Sequence, residues 1–127
     1  MYPNLSRRRS ATLNDFSNLF SMLPKVMQDA AVVHEMAHCI MHHTEKRILC
    51  LLFMPWKIRE VCKNHEFEAD RYAVMNGYGE GLKLCLRFES EGGMFHPSNA
   101  ERRQKIEQYE QNSLCSRKEL LADRRNR

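Results

Sequence analysis

The chain lacks the marks of several large protein classes at once. Its five cysteines, at 39, 50, 62, 85 and 115, are an odd number with no C-x-x-C pair and no regular spacing. That pattern excludes a secreted disulfide framework and a cysteine-built structural zinc knot, and reads as reduced thiols in a cytosol. Long apolar runs are missing too. The longest, ILCLLFMPW at 48–56, has nine residues, about half of what a membrane-crossing helix needs. The opening MYPNLSRRRS has no apolar stretch of the kind a secretory signal carries, so a cytoplasmic protein without a transmembrane helix is expected. Nothing alternates with the strict period of two that marks a strand, and no repeat or low-complexity tract is present.

Excess charge is scarce in the middle of the chain. The net charge of +4 sits at the ends, in Arg7, Arg8 and Arg9 and again in Arg117, Lys118, Arg124, Arg125 and Arg127. No aromatic residues interleave with these cations, so a stacking platform for single-stranded nucleic acid is not supported. The ends read as solvated segments, and no specific nucleic-acid partner is expected.

What is present fits one small domain, since 127 residues leave little room for a second. Residues 1–20 read as a disordered basic segment, 21–112 as the folded domain and 113–127 as a basic tail. Pro24 suits a helix start, and apolar residues recur at Val26, Met27, Ala30, Ala31, Val33 and Ala37, which predicts a helix over 24–43. Pro55 ends or kinks whatever contains the 48–54 run. That run is expected to pack in the core, because Cys, Leu and Phe are what a small core uses. A weak contact with a membrane surface through 48–56 is its other reading. A further helix is predicted over 57–76, stopped by Asn76 and Gly77. GYGEG opens another through Leu82, Leu84, Leu86 and Phe88, broken at Gly92 and Gly93. Pro97, with Ser98 or Asn99 as cap, opens a last, highly charged helix to about residue 112. The fold class expected is mainly α, compact, with at most a small residual sheet.

The chemistry concentrates in VVHEMAHCIMHH, residues 32–43. On a helix, His34 and His38 are four apart and lie on one face, so both imidazoles reach one zinc at about 2.0 Å. Glu35 flanks that position, where a carboxylate can take a proton from water whose pKa the metal lowers toward about 7. Two histidines need a third protein ligand, with one position left open for catalysis. A histidine six residues after His38 would serve, but Thr44 stands there. HEFEADRYA at 65–73 offers the other solution, with Glu66 as ligand and Asp70, four residues on, accepting the outward N–H of a ligand histidine. Ala69 and Ala73 lie on a neighbouring face and permit a close helix contact. His34, His38 and His42 form one stripe, but eight residues along a helix span about 12 Å, too far for one ion. His42 is therefore expected to be exposed or to support a ligand from behind. His43 and His65 carry no special signal.

VVHEMAH, EFEADRYA, GYGEGLKLCL and HPSNAERR, in that order over about residues 26–106, resemble the HtpX and CAAX-prenyl-protease group of gluzincin metallopeptidases. The resemblance implies a helical zincin core with an active-site helix and a Glu-bearing helix. It implies one zinc per chain on His34, His38 and Glu66, Glu35 as general base, and Asp70 behind the ligands. It also brings His96 near the cleft as a hydrogen-bond donor to the tetrahedral intermediate, and puts Arg102 at the family's arginine position. The chain departs from the family in two places. Only 27 residues separate His38 from Glu66, where members carry membrane-spanning helices, and only 33 precede His34, where members carry a strand. A soluble, minimal catalytic core is therefore expected.

The leading expectation is a zinc-dependent endopeptidase acting on a peptide or protein substrate. Repressor-cleaving peptidases of the ImmA/IrrE type share the H-E-x-x-H and a following acidic helix but lack the H-P-x-x-x-x-R block, which ranks them second. A third reading is a zinc-binding module without turnover, or a truncated family member. The intact Glu35 speaks for an enzyme, and the missing upstream strand speaks for the module.

Overall fold

Pro24, with φ at −52°, stands just ahead of the first long helix, α1 (Lys25–Ile40), where a missing N–H is no loss. The computed structural model describes residues 18–125 except Ser90 and Gly92. Most of the segment read as disordered, and Gly92 of the expected break, lie outside the described residues. After α1 come α2 (His43–Phe53), a 3-10 turn (Pro55–Lys57), α3 (Ile58–Met75), α4 (Gly79–Phe88) and α5 (Asn99–Arg125). The fold is mainly α, and no strand occurs among the described residues.

The single helix expected over 24–43 is cut at Ile40. His42 adopts left-handed backbone, φ 55° and ψ 41°, and α2 starts afresh at His43. Histidine is one of the few residues other than glycine that enters this region with some frequency. The turn sends α2 back toward α3 and sets His43 beneath α1.

Gly77 ends α3 at φ 90°. Its N–H donates to the Val74 carbonyl at 2.9 Å, and the Tyr78 N–H donates to the Ala73 carbonyl at 3.0 Å. Those two bonds satisfy carbonyls the helix end would otherwise leave open, and the left-handed residue between them is why Asn76–Gly77 stops the helix. At the start of α5, Ser98 and Glu101 cap each other. The Ser98 N–H donates to Glu101 Oε2 at 2.8 Å, and the Glu101 N–H donates to Ser98 Oγ at 3.2 Å.

α1 packs on α3 and α4, while α5 closes over α3 and α4 and α2 leans on α3. Small side chains allow this. Ala30, Ala37, Ala69 and Ala73 are each fully buried. A side chain on Gly81 would collide with the Val26 carbonyl oxygen and Ala30 Cβ, so α4 can approach α1 only through glycine. The apolar core is thin. Among the described residues, four of the twelve buried hydrophobic ones are Ala and three are Cys, whereas seven buried residues are polar or charged. The centre of the molecule is thus as much a polar cluster as an oily one.

Two expectations are corrected. The 48–56 run is not core. Only Cys50 in it is buried, because α2 packs against α3 and α1 through one narrow stripe, leaving Leu49, Leu52, Phe53 and Trp56 in the open. The last helix does not stop near residue 112 but continues to Arg125. No glycine or proline interrupts it there, and its residues beyond Ser113 are exposed. All five cysteines are free. None of the described helices is long and apolar enough to cross a membrane.

Candidate metal centre and its cleft

The i, i+4 spacing on α1 turns His34 and His38 toward α3, which presents Glu66 and Asp70 from one face in return. His34 Nε2 lies 3.1 Å from His38 Nε2 and 3.3 Å from Glu66 Oε2, and His38 Nε2 lies 3.5 Å from Glu66 Oε1. Ligands about 2.0–2.2 Å from a tetrahedral ion stand roughly 3.3–3.5 Å apart. The two contacts to Glu66 end on different oxygens, but one ligand atom from each of the three residues lies within 4.8 Å of the others, close enough to draw together on one ion. The residues present therefore fit a metal ion with a fourth position open, and the trio could hold one.

The outer nitrogen of His34, Nδ1, lies 2.9 Å from Asp70 Oδ1. The two meet in distance rather than in hydrogen-bond direction, so Nδ1 counts among the buried atoms without a hydrogen bond while feeling the carboxylate fully. Asp70 has no exposed surface and is gripped by Arg102, whose Nε and Nη2 donate to its two oxygens at 2.8 and 2.7 Å. This bidentate pair fixes the carboxylate that faces His34.

Electrostatics follow from that enclosure. Burial pushes the His34 imidazolium down, but the Asp70 and Glu66 carboxylates outweigh it and hold its pKa up at about 9. Burial would raise the Glu66 carboxyl, yet His34 and His38 hold it far below the usual carboxylate range. Asp70 is likewise raised by burial and lowered more strongly by Arg102 and His34. Without metal the centre is a proton-bearing ion cluster; with metal, the proton on His34 Nε2 must leave.

His43 and His65, which carry no signal in the sequence, are part of this centre. His43 is 1 % exposed, its Nδ1 is 2.7 Å from His38 Nδ1, and its Nε2 is 2.9 Å from Glu68 Oε2. If His38 Nε2 faces a metal, its Nδ1 carries the proton and donates to His43, which donates in turn to Glu68. His65 stacks on His43, with ring centroids 4.0 Å apart and planes 3° from parallel. His43, His65 and Glu68 also come close enough together to suggest a second ion. Imidazole donates its lone pair in the ring plane, however, and two parallel planes share no point at which one ion could sit. Arg47 completes the surround, donating from Nη2 to Glu66 Oε1 at 3.1 Å and from Nε to His65 Nδ1 at 3.2 Å. The signal for these residues is burial, which is invisible until the turn at His42 is known.

A cavity of about 220 Å³ opens on two of the three, His34 and Glu66, and Glu35, His96 and Arg102 line it with them. Glu35 is exposed there and is not among the three converging groups. His96 is exposed at the rim, its Nδ1 3.7 Å from Glu66 Oε1. His42 is exposed, as expected, and faces Glu45 instead of the centre. Beside the cavity, and sharing Glu35 and Cys85 with it, runs an open apolar groove of about 1160 Å³ bordered by Leu23, Val32 and Phe88. Compared with known proteins, the chain matches no family model, no curated protein and no solved structure.

Proposed function

We propose that the chain is a zinc-dependent endopeptidase, a minimal relative of the gluzincin core that its motifs resemble. The observation that carries this is the convergence of His34, His38 and Glu66, with pairwise contacts of 3.1, 3.3 and 3.5 Å, and Glu35 on the wall of the cavity that His34 and Glu66 line. Zinc held by these three would supply Lewis acidity, acidifying water and polarising a peptide carbonyl.

The chain's own groups do the rest. Glu35 takes the proton of the attacking water and returns it to the leaving amine. His96, at the rim, donates a hydrogen bond to the oxyanion. Asp70, held by Arg102, keeps His34 oriented, and the His43–Glu68 pair does the same for His38. The apolar groove beside Glu35 accommodates apolar side chains of an extended substrate.

A zinc-binding module without turnover is the second reading, favoured by the absence of any strand among the described residues to hold a substrate backbone. One experiment separates the two. The zinc-loaded chain and a chelated sample are incubated with an unstructured protein, and new termini are read by mass spectrometry. Zinc-dependent cleavage supports the peptidase; bound zinc without cleavage of any substrate supports the module.

A further inference from the structure

The end of α2 and the 3-10 turn after it form a corner that the fold leaves bare. Residues 51–57 are exposed without interruption, and no residue of the turn is buried. Leu52, Phe53 and Trp56 are 70, 71 and 73 % exposed. Large apolar side chains left bare together, on a helix end and the turn that follows it, point to something that covers them.

The shape of the apolar surface selects what that is. Ile48, Leu49, Leu51, Leu52 and Phe53 are all exposed, and at 3.6 residues per turn they spread over roughly 200° of the helix circumference. Fluid acyl chains close around a rounded end of this kind without needing a matching shape. Charge points the same way. Lys46 precedes the corner, Lys57 and Arg59 follow it, and all three are exposed. Residues 44–60 carry four cations against two acids, Glu45 and Glu60, and of the four Arg47 is turned inward to Glu66 and His65. Tryptophan beside basic residues is the composition that settles at the headgroup level of a bilayer.

We propose that this corner docks the protein onto an anionic membrane surface, with Leu52, Phe53 and Trp56 entering the interface and Lys46, Lys57 and Arg59 meeting the headgroups. The docking is reversible and peripheral, since one helix end and one turn are all that enter. It stands independently of the peptidase reading, because it is measured without turnover.

Trp56 is the only tryptophan in the chain, so its fluorescence reports on the corner alone. The full-length protein is titrated with vesicles of phosphatidylcholine and with vesicles that also contain phosphatidylglycerol. The expected result is a blue shift of Trp56 emission and co-sedimentation with the anionic vesicles, both reduced by high salt. Leu52→Glu combined with Phe53→Glu should abolish binding. Lys57→Glu combined with Arg59→Glu should weaken it at least severalfold while helical circular dichroism stays at the wild-type level, which keeps the test valid should the first pair perturb folding. Absence of a shift with anionic vesicles, or equal binding to neutral ones, overturns the proposal. So does a dimer in light scattering that Phe53→Glu dissolves, since a second copy would then cover the corner.

Discussion

His38 Nδ1 and His43 Nδ1 lie 2.7 Å apart although a helix end and a left-handed turn separate the two residues. Through that contact the ring facing Glu66 is tied to a carboxylate, Glu68, at the opposite edge of α3's polar face. A histidine here fills the place behind a candidate ligand that Asp70 fills behind His34.

His43→Ala is expected to leave the protein folded and to lower zinc affinity by roughly 10–100-fold, the usual weight of a group that orients a ligand. His43→Gln, which can still accept from His38, should recover part of the loss. Competition with a chromophoric chelator measures the affinity, and the visible spectrum of the cobalt-substituted protein reports the geometry. Unchanged affinity together with an unchanged spectrum would show that His43 is only packing.

Metal removal should destabilise the whole domain and not merely silence it. Among the described residues seven polar side chains are buried against twelve mostly small apolar ones, so an ion shared by three convergent side chains adds a large part of the stability. About one zinc per chain is expected, lost in His34→Ala, His38→Ala and Glu66→Ala. A strong chelator should lower Tm by roughly 10 °C or more, since each kilocalorie per mole counts for several degrees in a domain this small. A Tm that does not move while elemental analysis shows the zinc gone would refute the coupling.

Replacing Arg102 should be among the most destabilising changes available. Arg102→Ala strips both hydrogen bonds from Asp70, which has no exposed surface, and leaves a carboxylate whose desolvation nothing fully offsets. Breaking a buried pair this way costs about 3–5 kcal/mol. Urea unfolding measures it, and a loss below about 1 kcal/mol would contradict the pairing.

The metal-free protein should weaken as pH rises. His34 has a folded pKa of about 9 against 6.5 for the free side chain. Below pH 6.5 the ring is protonated folded and unfolded alike, so its pairing with Asp70 and Glu66 contributes in full. From 6.5 to 9 only the folded form stays protonated, and that contribution drains away. Tm of the chelated protein should therefore fall by roughly 5–10 °C across this range. His34→Gln should flatten the profile; a slope that survives the substitution would assign it elsewhere.

Glu35→Gln separates turnover from binding. Size and hydrogen bonding are kept and the basic oxygen is lost, so zinc content and folding should match wild type. Peptidase activity at equal zinc occupancy should drop by about 100-fold or more. Equal turnover in the two proteins would mean that the cleavage uses another base.

The sequence by itself determined whatever rests on neighbours within one helix. His34 with His38, and Glu66 with Asp70, share faces because four residues make nearly one turn. The Gly77 stop and the Ser98–Glu101 cap are equally local, being hydrogen bonds between residues three to five apart. Tertiary structure decided what depends on which helix lies against which. Arg102 reaches Asp70 across 32 residues of chain, which spacing cannot foretell. His43 reaches His38 only because His42 turns left-handed, where the periodic pattern would have carried one helix straight through. The 48–56 run reads as core by composition, but burial is a property of the neighbour as much as of the residue. α2 meets α3 and α1 through one narrow stripe, so that stripe is packed and the rest is left to whatever the protein meets.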